Sequence, residues 1–335
     1  MAAKQLHEIK YSVLDLASIT EGSTASTAFQ NSLTLAQHVE KLGYHRYWVA
    51  EHHSMPGIAS SATSVVIGYL AAGTSKIRVG SGGIMLPNHA SLVIAEQFGT
   101  LEAMYPGRID LGLGRAPGSD QRTAMALRGD IRNQGQDFPH QLEELRSYFD
   151  PASKHNAVRA IPGEGQKVPI WLLGSSGFSA RLAANLGLPF AFASHFSPEN
   201  TLPALAIYRD HFKPSDVLSE PYAMVGMNVF AADTTEEAKK LATSHQQQFL
   251  SLIRNTPGQL PPPVDTMEGR WNPYEEAAVE KNLKSSIIGN PIEVKEQLQK
   301  FLDDTQADEM MINSSIYDQT ARLHSYEIVT EATRK

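Results

Sequence analysis

Short apolar runs alternate with amphipathic stretches along almost the whole chain. Residues 11–16 form a strand-like run, and 24–42 carry apolar positions at helical spacing, with Leu35, Val39 and Leu42 on one stripe. A Ser/Thr-rich start and Gly43 at the end fit a helix with ordinary stop chemistry. The pattern then predicts a strand over 47–50, a helix over 61–72 ended by Gly73, and a third strand over 77–86 broken by Gly80, Gly82 and Gly83. Asn88 reads as the N-cap of the next helix, which Pro106-Gly107 terminates. Residues 109–113 and 168–173 read as strands four and five. Between them, 115–167 is a Gly- and Pro-rich excursion with one helix near 138–149.

A short helix over 179–186 leads to a sixth strand at 190–193, followed by strands at 223–230 and 310–313. Between these last two come a helix over 236–253, a loop over 255–273 and a helix over 292–302. Loops that long are usually lids or disordered. Strands separated by helices build parallel βα units. Eight of them predict one α/β domain over 1–335, a (β/α)8 TIM barrel with long excursions after strands 4 and 7.

Composition narrows the classes further. A chain of 335 residues with 41% hydrophobic and 19% charged residues suits a globular enzyme. It holds no Cys, which removes disulfides, thiolate metal sites and Cys nucleophiles, and suits a reducing cytoplasm. A net charge of −7 argues against a nucleic-acid footprint. No apolar run reaches membrane-spanning length. A soluble, cytoplasmic protein is expected.

In such a barrel, chemistry collects where strands end and βα loops begin. The second strand ends in Glu51-His52-His53, and a His there can act as acid, base or hydrogen-bond donor near neutral pH. The alternative is a His pair that packs under a loop. A metal is not expected, because no HExxH spacing or carboxylate–His cluster accompanies the pair. The glycines of the third strand imply either close approach of backbone to a ligand or a packing kink. Strand four ends Gly112-Leu113-Gly114-Arg115-Ala116-Pro117-Gly118, and Pro117 disfavours a dinucleotide turn, which must open into a helix. Arg115 reads as an anion-binding guanidinium. Gly174-Ser175-Ser176-Gly177-Phe178-Ser179 precedes a helix, either as a plain Ser cap or as a phosphate cradle, and Arg115 favours the cradle.

These segments, WVAEHH, VGSGGIMLP, PGRIDLGLGRAPGSD, PIWLLGSSGFSARLAANLGLPFAFASHF and IIGNPIEV, closely resemble the bacterial luciferase-like flavin-dependent monooxygenases over about residues 11–315. The resemblance implies reduced FMN as co-substrate, O2, a C4a-peroxyflavin, a small organic substrate and a separate NAD(P)H:flavin reductase. It places His52 at the reactive edge of the flavin. Gly82 and Gly83, joined by a cis peptide, would support the ring beside Met85. Arg115 with Gly174, Ser175, Ser176, Gly177 and Phe178 would hold the phosphate. His195, Phe196 and Trp271 are the candidate substrate pocket. No second phosphate-binding Arg has a counterpart in 122–138.

The resemblance also implies a homodimer through the helices after strands two and three, of which 61–72 is almost free of charge. Three rival readings use other chemistry. F420-dependent hydride transfer on the same barrel would call for a larger basic mouth. The others are a non-catalytic flavin-binding protein and a Rossmann dehydrogenase.

Overall fold

Parallel strands run in a closed circuit in the computed structural model, which describes residues 4–116, 121–128, 137–151 and 157–334. The strands are β1 (Lys10–Asp15), β2 (Arg46–Val49), β3 (Arg78–Met85), β4 (Ile109–Gly114), β5 (Ile170–Gly174), β6 (Phe190–Phe192), β7 (Ala223–Ala231), β8 (Ile287–Gly289) and β9 (Glu309–Asn313). β1 to β6 pair in succession, β6 pairs with β7, β7 with β9, and β9 returns to β1. Eight strands therefore close a TIM barrel. β8 lies outside the circuit and pairs only with Val229–Ala231 at the end of β7.

The helices are α1 (Ala25–Leu42), α2 (Thr63–Ala72), α3 (Ser91–Met104), α4 (Gln121–Arg128), α5 (Phe138–Phe149), α6 (Gly177–Leu186), α7 (Thr201–Asp210), α8 (Thr235–Ile253), α9 (Pro273–Asn282), α10 (Pro291–Thr305) and α11 (Gln319–Thr333). Thr24 and Gly43 cap α1 as its sequence predicts, Gly43 in the left-handed conformation. None of the described helices is long and apolar enough to cross a membrane.

Strand alternation sorts the core into two layers. Val13, Tyr47 and Val49 join the large cluster under the helices, whereas Leu14, Trp48, Trp171, Met224 and Met311 form a smaller one that fills the barrel. Below it, at the strand N-termini, lies a buried ion network. Arg46 donates to Glu309 and to Asp110, each at 2.7 Å, and Arg78 donates to the other oxygen of Asp110 at 2.7 Å. The bottom of the barrel is thus sealed by charge pairs, and the open end is the C-terminal mouth.

Two sequence expectations need correction, and the long loop over 255–273 takes the lid side of its two readings. Asn88 does not cap α3, whose N-cap is Ala90; it ends a short 3-10 turn and donates to Glu51 at 3.2 Å. The helix after β5 begins at Gly177, two residues earlier than Ser179. The chain from 255 to 273 is an ordered cover. Leu260 N–H donates to Ile19 and its carbonyl accepts from Glu21, both at 2.9 Å, pinning the segment across the β1–α1 loop. Pro117 to Asp120, on which the argument against a dinucleotide turn rests, lie outside the described residues.

Candidate active site

The C-terminal mouth encloses a mostly apolar cavity of about 350 Å³. Its lining draws on the ends of all eight barrel strands, on α8, and on Pro257 and Gly258 from the cover. Of the residues singled out from sequence, His52, Gly82, Met85, Arg115, Gly174, Ser175, Ser176, His195 and Phe196 reach this one space.

On the β3 wall the Gly82-Gly83 peptide is cis, as the resemblance implied, with Gly82 on the lining. Packing also demands these glycines. A Cβ on Gly82 would stand 2.8 Å from Leu14 Cδ1, and one on Gly83 would stand 2.7 Å from the Gly112 carbonyl oxygen. Close approach inside the barrel and an exposed backbone toward the cavity are therefore the same feature.

At the β4 and β5 ends the geometry suits an anion. Arg115 stacks its guanidinium 4.3 Å from the centroid of Phe178, which orients it without neutralising it. Ser176 occupies the N-cap position of α6 yet makes no side-chain cap bond, so the first-turn N–H groups remain available to an incoming acceptor. Gly177 and Phe178 sit in that first turn rather than on the cavity wall.

Glu51 and its neighbours overturn one expectation. Beside His52 the fold assembles a carboxylate–His cluster: His53 Nε2 lies 2.8 Å and His89 Nε2 2.9 Å from Glu51 Oε1. Met85 N–H donates to Oε2 at 3.0 Å. The three side chains could bind a metal. Their hydrogen bonds also make a complete structural account, in which Glu51 ties β2 to the β3–α3 turn and leaves His52 on the lining. Burial alone would raise the Glu51 carboxyl, but His89, His53 and Asn88 hold it below the usual range. His89 lies thirty-six residues beyond His53, so spacing alone could not reveal the cluster.

Trp271 does not line the cavity. It packs with Leu250, Met267 and Val279 beneath the cover. In its place α8 supplies His245, Gln248, Phe249 and Leu252. Sequence reasoning missed these because α8 reads as an ordinary amphipathic helix, and only its crossing of the mouth turns that face to the cavity.

A closed parallel barrel with an apolar mouth, an oriented guanidinium and a bare helix N-terminus defines a small-molecule site of the TIM-barrel class, with one anion-binding edge. The luciferase-like monooxygenase family model matches residues 9–309, and the chain belongs to that family. It is 62% identical to the uncharacterized protein YvbT of Bacillus subtilis (strain 168) over 99% of this chain and 98% of that one. It is 56% identical to a luciferase-like monooxygenase of Escherichia coli (strain K12) over 96% of each. N-acetyl-S-alkylcysteine monooxygenase of Bacillus subtilis (strain 168) is 37% identical, over 97% of this chain and 98% of the other.

Among solved structures, apo-MsnO8 superimposes with a TM-score of 0.90 at 37% identity, covering 97% of this chain and 98% of that one. Two others share the fold. The FMN complex of the oxygenating constituent of 3,6-diketocamphane monooxygenase from Pseudomonas putida has a TM-score of 0.75 at 17% identity, covering 97% of each chain. An F420-dependent secondary alcohol dehydrogenase has a TM-score of 0.72 at 13% identity, covering 98% of this chain and 100% of that one.

Proposed function

We propose that this protein is an FMN-dependent monooxygenase that oxidises a small organic molecule with O2. The observation that carries the reading is Arg115, stacked on Phe178 beside the bare N-terminus of α6 at the edge of an apolar cavity. A guanidinium and a helix N-terminus together suit a terminal phosphate. Ser175 and Ser176 add hydroxyls, and Gly82 and Met85 would form the wall for a flat ring, with Gly83 behind Gly82. Reduced FMN would supply the electrons that activate O2. The protein would orient the ring, present His52 at its edge and keep water out with the apolar lining and the 255–264 cover. A separate NAD(P)H:flavin reductase would deliver the reduced flavin.

The phosphate grip has a direct test. Arg115→Ala should weaken FMN binding by about 1–3 kcal/mol, the scale of a lost charge-assisted bond, with little effect on riboflavin, which lacks the phosphate. Fluorescence titration of both flavins checks this. Equal affinity of the native protein for FMN and riboflavin, or tighter binding of F420, would reject the assignment.

The same reading includes a homodimer. α2 leaves Val65 70% and Tyr69 43% exposed, and neighbouring α3 leaves Val93 42% and Met104 59% exposed. Such an apolar face suits burial against a second copy. Light scattering should give a dimer mass at micromolar concentration, and Val65→Glu should give the monomer mass. A native monomer would reject it.

A further inference from the structure

The side of the mouth opposite the proposed phosphate grip is built from β6, β7 and α8. His195 and Gly226 stand on its wall, and α8 lays His245 across the same space. In a mostly apolar lining, a buried polar atom without a partner is costly. Two occur here, Nδ1 of His195 and Nδ1 of His245, neither of which has a hydrogen-bond partner among the described residues. Both rings nonetheless remain partly open to the cavity.

Each ring is seated by its neighbours. His195 donates its backbone N–H to the Gly226 carbonyl at 3.2 Å and packs 4.4 Å, centroid to centroid, from Phe196. A Cβ on Gly226 would stand 2.7 Å from His195 Nδ1 and 2.8 Å from Cε1, so β7 needs glycine for the ring to fit. That contact turns the Nδ1–Cε1 edge onto the strand. The His245 ring packs 5.5 Å from that of Phe230.

A neutral imidazole has one N–H and one bare nitrogen. Neither buried Nδ1 has an acceptor in hydrogen-bonding geometry, although the Gly226 backbone beside His195 opposes the effect of burial there, and we assign the proton to Nε2 of each ring. Burial pushes His195 down to about 4, and burial with the neighbouring His195 does the same to His245. Both rings are therefore uncharged donors at neutral pH. Such donors suit an uncharged acceptor, since a carboxylate would be buried here without a counter-ion.

We propose that His195 and His245 form the polar end of the substrate subsite, and that the substrate is an uncharged, mostly apolar molecule whose carbonyl-type oxygen accepts from their Nε2–H groups. This rests on the reading that the β3–β5 side of the mouth holds the flavin.

Nitrogen NMR of the full chain with ¹⁵N-labelled histidine tests it, using cyclohexanone, methylenecyclohexane and cyclohexanecarboxylate as probes. Both rings should be neutral Nε2–H tautomers at pH 7, and cyclohexanone should shift both. Native protein should bind cyclohexanone at least about tenfold more tightly than either other probe, the scale of one or two net hydrogen bonds. The His195→Phe/His245→Phe double variant should lose that preference, while His195→Gln/His245→Gln, which keeps an N–H on each side chain, should retain most of it. Nδ1–H tautomers, charged rings, or equal binding of ketone and alkene by the native protein would overturn the proposal. FMN titration of the same variants separates the two readings: the Phe variant should bind FMN normally, and Arg115→Ala should bind cyclohexanone normally. Normal FMN binding with no ketone preference would remove the subsite alone. A retained ketone preference with no FMN binding would remove the flavin reading alone.

Discussion

Replacing Arg46 with Met is expected to destabilise the barrel by about 3–5 kcal/mol, the cost of breaking a buried charge pair by removing one partner. Arg46 is 5% exposed, while Asp110 and Glu309 are fully buried. Asp110 would keep Arg78 and the Trp48 indole N–H, at 2.7 and 3.1 Å. Among the described residues Glu309 would keep hydroxyl donors, Ser12 and Tyr222. Its charge would then stand unpaired beneath the packed layer of Trp48 and Trp171, over whose rings the guanidinium lies at 5.8 and 4.7 Å. Urea unfolding should show the loss as a lower midpoint with an unchanged slope. The Arg46→Met/Glu309→Gln double variant should recover part of it by removing the stranded charge. A single-variant loss below about 1 kcal/mol would show that the network is solvated enough to stand without its cation.

That network was not legible in the sequence. Arg46, Asp110 and Glu309 are far apart in the chain, and each lies within the first two residues of its strand. The alternation that placed the strands identifies which face a residue occupies but not which charged residues meet at the bottom of a closed circuit. The barrel itself was legible because its signal is local and repeated. Short apolar runs, helical stripes, and stops such as Gly43, Gly73 and Pro106-Gly107 recur from one unit to the next. Where the signal is weak, elements were lost. α7 and α9 open on polar or Pro-containing turns, and β8 is three residues long.

The mouth was legible in proportion to how local its parts are. Arg115 and the 174–178 turn lie at neighbouring strand ends, so the barrel order alone brings them together. Trp271 was misplaced because a large aromatic in a long loop reads equally well as a pocket wall or as an anchor. It is an anchor, packed with Leu250 of α8, Val279 of α9 and Met267. His245 was overlooked for the opposite reason. On a helix of nineteen residues it resembles any other polar position, and only the tertiary crossing of α8 brings it to the cavity.

His52→Ala is expected to leave the fold intact and to slow substrate oxidation by about 10²–10⁴-fold, the usual contribution of a positioned acid or base. Stability should hold within about 1 kcal/mol because His52 is only partly buried, and the bond from its backbone N–H to the Ser60 carbonyl at 3.3 Å survives the change. The adjacent side chains divide the work. Glu51 is 1% exposed and fixes the loop through His53, His89 and the Met85 N–H, whereas His52 faces the cavity. Glu51→Gln should therefore lower the melting temperature, and His52→Ala should not. The rate is best read in single turnovers with reduced FMN and O2, on a small organic molecule that supports turnover by the native protein. FMN affinity measured alongside would separate lost binding from lost chemistry. A His52→Ala variant that melts several degrees lower but oxidises substrate at the native rate would make His52 a loop anchor like its neighbours, and the proton-handling group would then have to be sought elsewhere on the lining.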